Sequence, residues 1–219
     1  MNKVQNAGEL AIEHWNKTPL DVSEQERYRF YPWLYEAAEF RHHGGDRILE
    51  IGCGAGVDLS QFVKHQAKSF AIDLTPAHLR LAQERVGSGA QLCRAHGGSI
   101  PFGDSTFDYV YSHGVIHHID QPRRVAGEIM RILRPGGRFN IMVYAWWSLS
   151  RFEYMLHHGR DWRLFVENSR DPVHIDFYTR RSLEELFSPA PVTVEKYHCR
   201  IPVLEKWLGW FIVAKGTKP

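Results

Sequence analysis

Three glycines at alternate positions, Gly52, Gly54 and Gly56, stand directly after Glu50 and Ile51, where an apolar run ends. Glycine there lets the backbone turn tightly and come close to a ligand. A dinucleotide-binding loop would need a glycine at position 57, which is Val57. Glu50 would repel a pyrophosphate and suits a positively charged group, such as an ammonium or sulfonium. Asp73 closes the next apolar run, where a carboxylate accepts hydrogen bonds from a ribose diol. Together these residues point to an adenosyl ligand without a pyrophosphate, and S-adenosylmethionine meets that description.

The elements that must position these residues alternate. Arg47 to Ile51 reads as a strand that runs into the glycine loop, and Leu59, Phe62 and Val63 follow at helical spacing. Ser69 to Ile72 is a second strand ending at Asp73. Thr75-Pro76 predicts an N-cap followed by proline at the first helical position, and Gly87 ends that helix. Phe107 to Ser112 is another strand. Val125, Ile129, Ile132 and Leu133 mark an amphipathic helix, Arg134-Pro135-Gly136-Gly137 a turn, and Arg138 to Tyr144 the next strand. Strands alternating with helices predict an α/β fold with a parallel sheet covered on both faces.

The flanks differ. Ser23 and Glu26 predict a capping box opening a helix that carries Tyr28, Tyr31 and Tyr35, with Pro32 kinking or splitting it. Residues 145–180 break the alternation and read as an insertion, helical around Phe152 to Leu156. Ser182 and Glu185 predict a second capping box, and Val192 to Tyr197 and Trp210 to Ala214 a closing antiparallel pair at the sheet edge. The expectation is one domain over residues 1–219: an N-terminal helical cap (1–45), a cofactor-binding core (46–144), a substrate-cap insertion (145–180) and a closing helix with strands (181–219).

Ile48 to Gly56 resembles the first motif of the class I S-adenosylmethionine-dependent methyltransferases. Ala71 to Pro76 resembles their ribose-binding strand end. Ile100-Pro101-Phe102, Phe107 to Val110 and Gly114-Val115-Ile116-His117-His118 match the fourth-strand region. Leu133 to Arg138 matches the turn before the fifth strand. The chain is most similar to the small-molecule branch, methyltransferase type 11, which includes ubiquinone and menaquinone biosynthesis enzymes. The resemblance implies a Rossmann-like, doubly wound sheet of seven strands, mostly parallel, with a C-terminal antiparallel hairpin. It implies that Gly52, Cys53, Gly54 and Gly56 lie along the methionine part of the cofactor, with Glu50 holding that loop. It gives Asp73 to the ribose, Leu74 to the flank of the adenine, and Ser112 and His113 to the neighbourhood of the transferring methyl. The family's adenine-reading acid is replaced here by His96, followed by Gly97. A neutral imidazole can accept from the adenine amino group through one ring nitrogen, or backbone groups of Gly97 or Ser99 do the reading.

Methyl transfer to a hydroxyl or ammonium requires a base, and histidine suits neutral pH. His117 is the first candidate and His113 the second. Tyr28, Tyr31, Tyr144, Trp147, His174 and Tyr178 are candidate substrate residues, and so many rings favour an aromatic or largely apolar acceptor. The histidines, 13 in all, and the aromatic residues (7 Trp, 9 Tyr, 12 Phe) concentrate in 14–43, 109–118 and 144–178. Those are the segments expected to build the acceptor side. His113 and His117 are four apart, but a strand end separates them from a shared helical face, so no metal site is expected.

Composition narrows the alternatives. A formal charge of +2 without a basic block gives no support to a nucleic-acid partner. The longest uncharged, mostly apolar run, Phe139 to Ser150, has 12 residues, short of the roughly 20 that a membrane span needs. Met1 to Asn6 has no apolar signal-peptide core, and 3 cysteines are too few for a disulfide scaffold. The expected setting is cytoplasmic, as a monomer or homodimer acting on a small molecule. The competing readings are a non-catalytic S-adenosylmethionine-binding partner or regulator, a dinucleotide-dependent oxidoreductase, which Val57 and Glu50 disfavour, and a methyltransferase of RNA or protein.

Overall fold

A computed structural model describes residues 13–17, 19, 21–159 and 174–219. Parts of the expected N-terminal cap (1–12, 18 and 20) and of the insertion (160–173) lie outside the described residues. The strands are β1 (Arg47–Ile51), β2 (Lys68–Asp73), β3 (Ala90–Arg94), β4 (Phe107–His113), β5 (Leu133–Tyr144), β6 (Val192–Tyr197) and β7 (Phe211–Thr217). The helices are α1 (Glu24–Phe30), α2 (Leu34–Ala37), α3 (Val57–Lys64), α4 (Pro76–Val86), α5 (Pro122–Ile132), α6 (Leu149–His158), α7 (Arg180–Phe187) and α8 (Glu205–Leu208).

The seven strands form one sheet in the order β3-β2-β1-β4-β5-β7-β6. β1 to β5 pair in parallel, and β7 joins β5 and β6 antiparallel. This is the expected doubly wound sheet with its terminal hairpin. Side chains alternate across it. Leu49 and Ile51 enter one core with Phe70, Ile72, Val125 and Ile129. Ile48 enters the other with Phe40, Phe62, Tyr109 and Tyr111. Glu50 shares the parity of Ile48, so a carboxylate lies in register with Tyr111 on β4 and Ala71 on β2. Because β1 has β2 on one side and β4 on the other, the connections diverge there and leave a crevice at the strand ends.

Several local details differ from expectation. β3 has no counterpart in the strand-by-strand reading: Ala90-Gln91-Leu92-Cys93-Arg94 is half-exposed at the edge and lacks a strong apolar pattern. Pro135-Gly136-Gly137 does not separate two elements. It bulges within β5, whose register against β4 jumps from Phe107↔Leu133 to Tyr109↔Arg138. The Thr75 hydroxyl makes no cap bond; the Asp73 carboxylate accepts from the Thr75 N–H instead, at 2.8 Å. The second capping box starts at Thr179, with Ser182 as its reciprocating residue. The first forms between Ser23 and Glu26 as expected, and the helical run breaks at Tyr31-Pro32-Trp33.

α1 buries none of its side chains. The Tyr28 ring packs on Phe40, and the rest of the helix's tie to the core is polar. Arg27 forks onto Asp58 of α3, Nε to Oδ1 at 2.7 Å and Nη2 to Oδ2 at 2.5 Å. Tyr28 donates to the same carboxylate at 3.0 Å and Tyr111 at 2.8 Å. Burial alone would raise the Asp58 carboxyl, but Arg27, His113 and the Tyr111 hydroxyl outweigh it and hold the group below its usual range. The stabilisation is therefore present above the ordinary carboxyl range and is lost as pH falls through the depressed value. Arg27→Met, which strands the Asp58 charge, is expected to destabilise the protein by about 3 kcal/mol at neutral pH in urea unfolding. The difference from the wild-type chain should shrink in acid.

Candidate cofactor site

The crevice holds a cavity of about 430 Å³, within the range of small-molecule pockets. Glu50, Gly52, Cys53 and Gly54 line it from the first strand end, Asp73 and Leu74 from the second, and His96, Gly97 and His113 from the third and fourth.

The loop geometry explains its glycines. Gly52, Gly54 and Gly56 have φ of 72°, 51° and 75°, the left-handed region. A Cβ on Gly52 would lie 2.4 Å from Val115 Cγ2, and one on Gly56 3.0 Å from Ala82, whereas the same direction at Gly54 is open. Gly52 and Gly56 thus permit close packing, and Gly54 leaves room at the cavity wall. The Gly54 N–H donates to Asp73 Oδ2 at 2.9 Å, which ties the loop to the end of β2.

Two carboxylates face the cavity in different states. Burial would raise Asp73, but hydrogen bonds from His78, Thr75 and Gly54 overcome it and keep the carboxyl low. Glu50 is raised, first by burial and then by the nearby charges of Asp58 and Asp73. Its Oε2 is buried with no hydrogen-bond partner. An unpartnered acid oxygen beside an open glycine fits a cationic ligand. The Cys53 thiol is pushed up by burial and by the same acids, which keeps it un-ionised.

His96 Nδ1 accepts from the Gly98 N–H at 3.0 Å. Its proton therefore sits on Nε2, which makes the outer nitrogen a donor and not the acceptor expected for an adenine amino group. Ser112 is buried, does not line the cavity, and donates to the Ile51 carbonyl at 3.0 Å, pinning β4 to β1.

The expected base region separates into distinct roles. His117 is fully buried, packed between His118 (4.2 Å) and Tyr144 (4.1 Å), with both ring nitrogens unpartnered. Burial and the neighbouring His118 and His174 push it well below its usual value. It does not line the cavity, whereas His118 and His113 do. His118 Nδ1 lies 2.9 Å from the His174 carbonyl, so that nitrogen carries the proton. His113 is lowered to about 4 by burial, against the opposing effect of Asn140.

The candidate substrate residues are dispersed. Tyr31 lines the cavity. Tyr28 packs on Tyr35 and Phe40 with its hydroxyl on Asp58. Tyr144 stacks in a ring cluster with Trp210, and Trp147 is largely exposed beside Phe152. Segment 174–178 is strapped to the sheet end: Asp176 N–H donates to the His117 carbonyl at 2.8 Å and Tyr178 N–H to that of Tyr144 at 2.9 Å. The Tyr178 hydroxyl is buried and unpartnered, and the His174 ring pairs with Asp176 at 3.2 Å. Sequence reasoning missed Arg27 and Trp15 at the cavity. It passed over His118 in favour of its neighbour, although the pair was visible.

Residues 49–141 match the model of a methyltransferase domain family, Methyltransf_11. The phthiotriol/phenolphthiotriol dimycocerosates methyltransferase of Mycobacterium tuberculosis is 31% identical over 124 residues, 55% of this chain and 46% of that protein. An uncharacterized methyltransferase of Mycobacterium sp. (strain JLS) is 30% identical over 114 residues, 52% of this chain and 44% of the relative. The chain thus spans under half the length of these curated relatives. The Burkholderia thailandensis 1,6-didemethyltoxoflavin-N1-methyltransferase, solved with 1,6-didemethyltoxoflavin and S-adenosylhomocysteine, superposes with a TM-score of 0.68 at 18% identity, covering 100% of this chain and 91% of the other. The [4+2]-cyclase SpnF superposes with a TM-score of 0.67 at 15% identity, covering 97% and 92%. These two show a shared fold, which hosts more than one chemistry.

Gly52→Ala is expected to cost about 2 kcal/mol or more in urea unfolding, from backbone strain and the clash with Val115. Adding Val115→Ala should recover part of that loss, with a coupling on the order of 1 kcal/mol in a double-mutant cycle. Strictly additive losses would mean that the close approach is not what constrains this position. The strand-end carboxylates, the left-handed glycine loop and the family match identify residues 49–141 as a class I S-adenosylmethionine-dependent methyltransferase domain.

Proposed function

We propose that the protein transfers a methyl group from S-adenosylmethionine to an O, N or C atom of a small, aromatic or largely apolar metabolite. The observation that carries this reading is the pair of buried cavity carboxylates, Glu50 with an unpartnered oxygen and Asp73 held ionised, beside the open side of Gly54. When bound, S-adenosylmethionine supplies a methyl group already activated on a sulfonium, so the protein's part is positioning and exclusion of water.

In this reading Glu50, Gly52, Cys53 and Gly54 take the methionine end, with Gly56 shaping the turn. Asp73 Oδ1 accepts from the Thr75 N–H and faces His78 Nδ1 at 3.6 Å, and Oδ2 accepts from the Gly54 N–H, out of about four acceptor sites on a carboxylate. The capacity left on Oδ2 suits a ribose hydroxyl. Leu74 flanks the adenine. Gly97 lies beside it, and His96 Nε2–H donates to an adenine ring nitrogen. Ser112 holds the end of β4, and His113 walls the cavity. Tyr31 stands on the acceptor side. Tyr28, Tyr144, Trp147, His174 and Tyr178 support that side through the ring cluster and the strap.

His118 is the proposed base for an O–H or N–H acceptor, in place of His117. The His174 carbonyl fixes its Nδ1–H, so Nε2 is the basic nitrogen of the neutral ring. Its setting is proposed as cytoplasmic, as a monomer or homodimer without a nucleic-acid partner. No helix among the described residues is long and apolar enough to cross a membrane.

Calorimetry should detect binding of S-adenosylmethionine, and Asp73→Asn should raise its Kd roughly thirtyfold. His118→Ala should lower kcat about a hundredfold with cofactor affinity unchanged, and His117→Ala should lower it less. The assay is S-adenosylhomocysteine release with a panel of phenols, amines and carboxylic acids. Absence of S-adenosylmethionine binding would sink the whole reading.

A further inference from the structure

Glu50 and His113 line the cavity, and among the described residues Glu50 Oε2 and His113 Nδ1 are buried with no hydrogen-bond partner. His113 is only 8% exposed, and its ring lies 4.1 Å from that of Tyr111 at an interplanar angle of 27°. Its second nitrogen, Nε2, is 2.8 Å from Asn140 Oδ1. Asn140 is itself fully buried in β5, and its Nδ2 donates to the Ala37 carbonyl at 2.7 Å.

These bonds fix the protons one after another. The Ala37 carbonyl can only accept, so the nitrogen of the Asn140 amide must face it. The amide oxygen then faces His113, and it too can only accept. Nε2 must therefore carry the ring proton, which leaves Nδ1 as a bare lone pair. The carbonyl of Ala37, the last residue of α2, thus determines through one side chain the tautomer of a histidine in the cavity wall.

We propose that Asn140 is a positioning residue that locks His113 as the neutral Nε2–H tautomer, so that Nδ1 is a fixed hydrogen-bond acceptor for the primary ammonium of the bound cofactor. The ligand chemistry follows from the acceptors. His113 Nδ1 calls for a donor, and a cation beside Glu50 favours the ionised form that burial and the neighbouring acids oppose. A primary ammonium brings three N–H groups and a positive charge that suits the carboxylate. A carboxylate end of a ligand would bring no donor to His113 Nδ1. The inference rests on the cofactor reading above and adds to it a tautomer-setting residue that does not itself touch the ligand.

The test uses the full-length protein with ¹⁵N-labelled histidine. In the free protein the long-range ¹H–¹⁵N spectrum should show His113 with Nε2 protonated and Nδ1 bare. Saturating S-adenosylhomocysteine should move the Nδ1 signal in the direction of an accepted hydrogen bond, and its des-amino analogue should not. Asn140→Leu should mix the two tautomers and raise the S-adenosylhomocysteine Kd about tenfold. A proton on Nδ1 in the free wild-type protein overturns the proposal. So does an Nδ1 signal indifferent to S-adenosylhomocysteine, or one that moves equally with the des-amino analogue. An N140L variant that keeps a pure Nε2–H tautomer and unchanged affinity also overturns it. If N140L does not fold, the wild-type spectra still decide. Failure of the wild-type protein to bind S-adenosylhomocysteine would strike the cofactor reading instead, while the tautomer in the free protein still tests the lock.

Discussion

Much of this molecule hangs on one buried carboxylate. Asp58 is 3% exposed and accepts both arms of the Arg27 fork and the hydroxyls of Tyr28 and Tyr111. Those groups come from the N-terminal helix and from the fourth strand, and Asp58 itself sits in the first turn of the helix that follows the glycine loop. A charge removed from water in this way is tolerable only with all its acceptor sites in use. The requirement fixes the relative placement of three segments that line the same cavity. It also feeds into the site, because Asp58 is one of the charges that keep the neighbouring Glu50 from ionising readily.

Electrostatically the cavity wall combines acids with one histidine, His113, that burial holds neutral and whose Nε2 has an amide oxygen as partner. A cationic imidazole there would oppose a sulfonium, whereas a neutral one does not. The low-lying Asp73 and the raised Glu50 show one sheet end setting two carboxylates apart: hydrogen bonds hold the first down, and burial with neighbouring acids pushes the second up.

The cofactor half was legible in the sequence because its constraints are local. A glycine demanded by a left-handed φ, an acid at a strand end and a proline at a helix start each leave a mark within a few residues. Gly52, Gly54, Gly56, Glu50 and Asp73 could be read in this way. The polar bonds that set the site's protonation states are long-range, and no spacing announces them. Asn140 reaches Ala37 across 103 positions and Arg27 reaches Asp58 across 31. The choice between His117 and His118 turns on which ring the strap at 174–178 buries and which it leaves at the cavity. β3 escaped notice for a different reason: an edge strand with half-exposed side chains has little apolar alternation to show.

The wall formed by α1 is held by the same charge that orders the neighbouring segments. The flank of this helix contributes Val22, Arg27, Phe30 and Tyr31 to the lining, yet the helix buries no side chain of its own. Lifting it would strip the Tyr28 ring from Tyr35 and Phe40. It would also part the charge-assisted bonds to Asp58, which are short-ranged and directional. One carboxylate thus ties this side of the cavity wall both to the helix after the glycine loop and to the fourth strand.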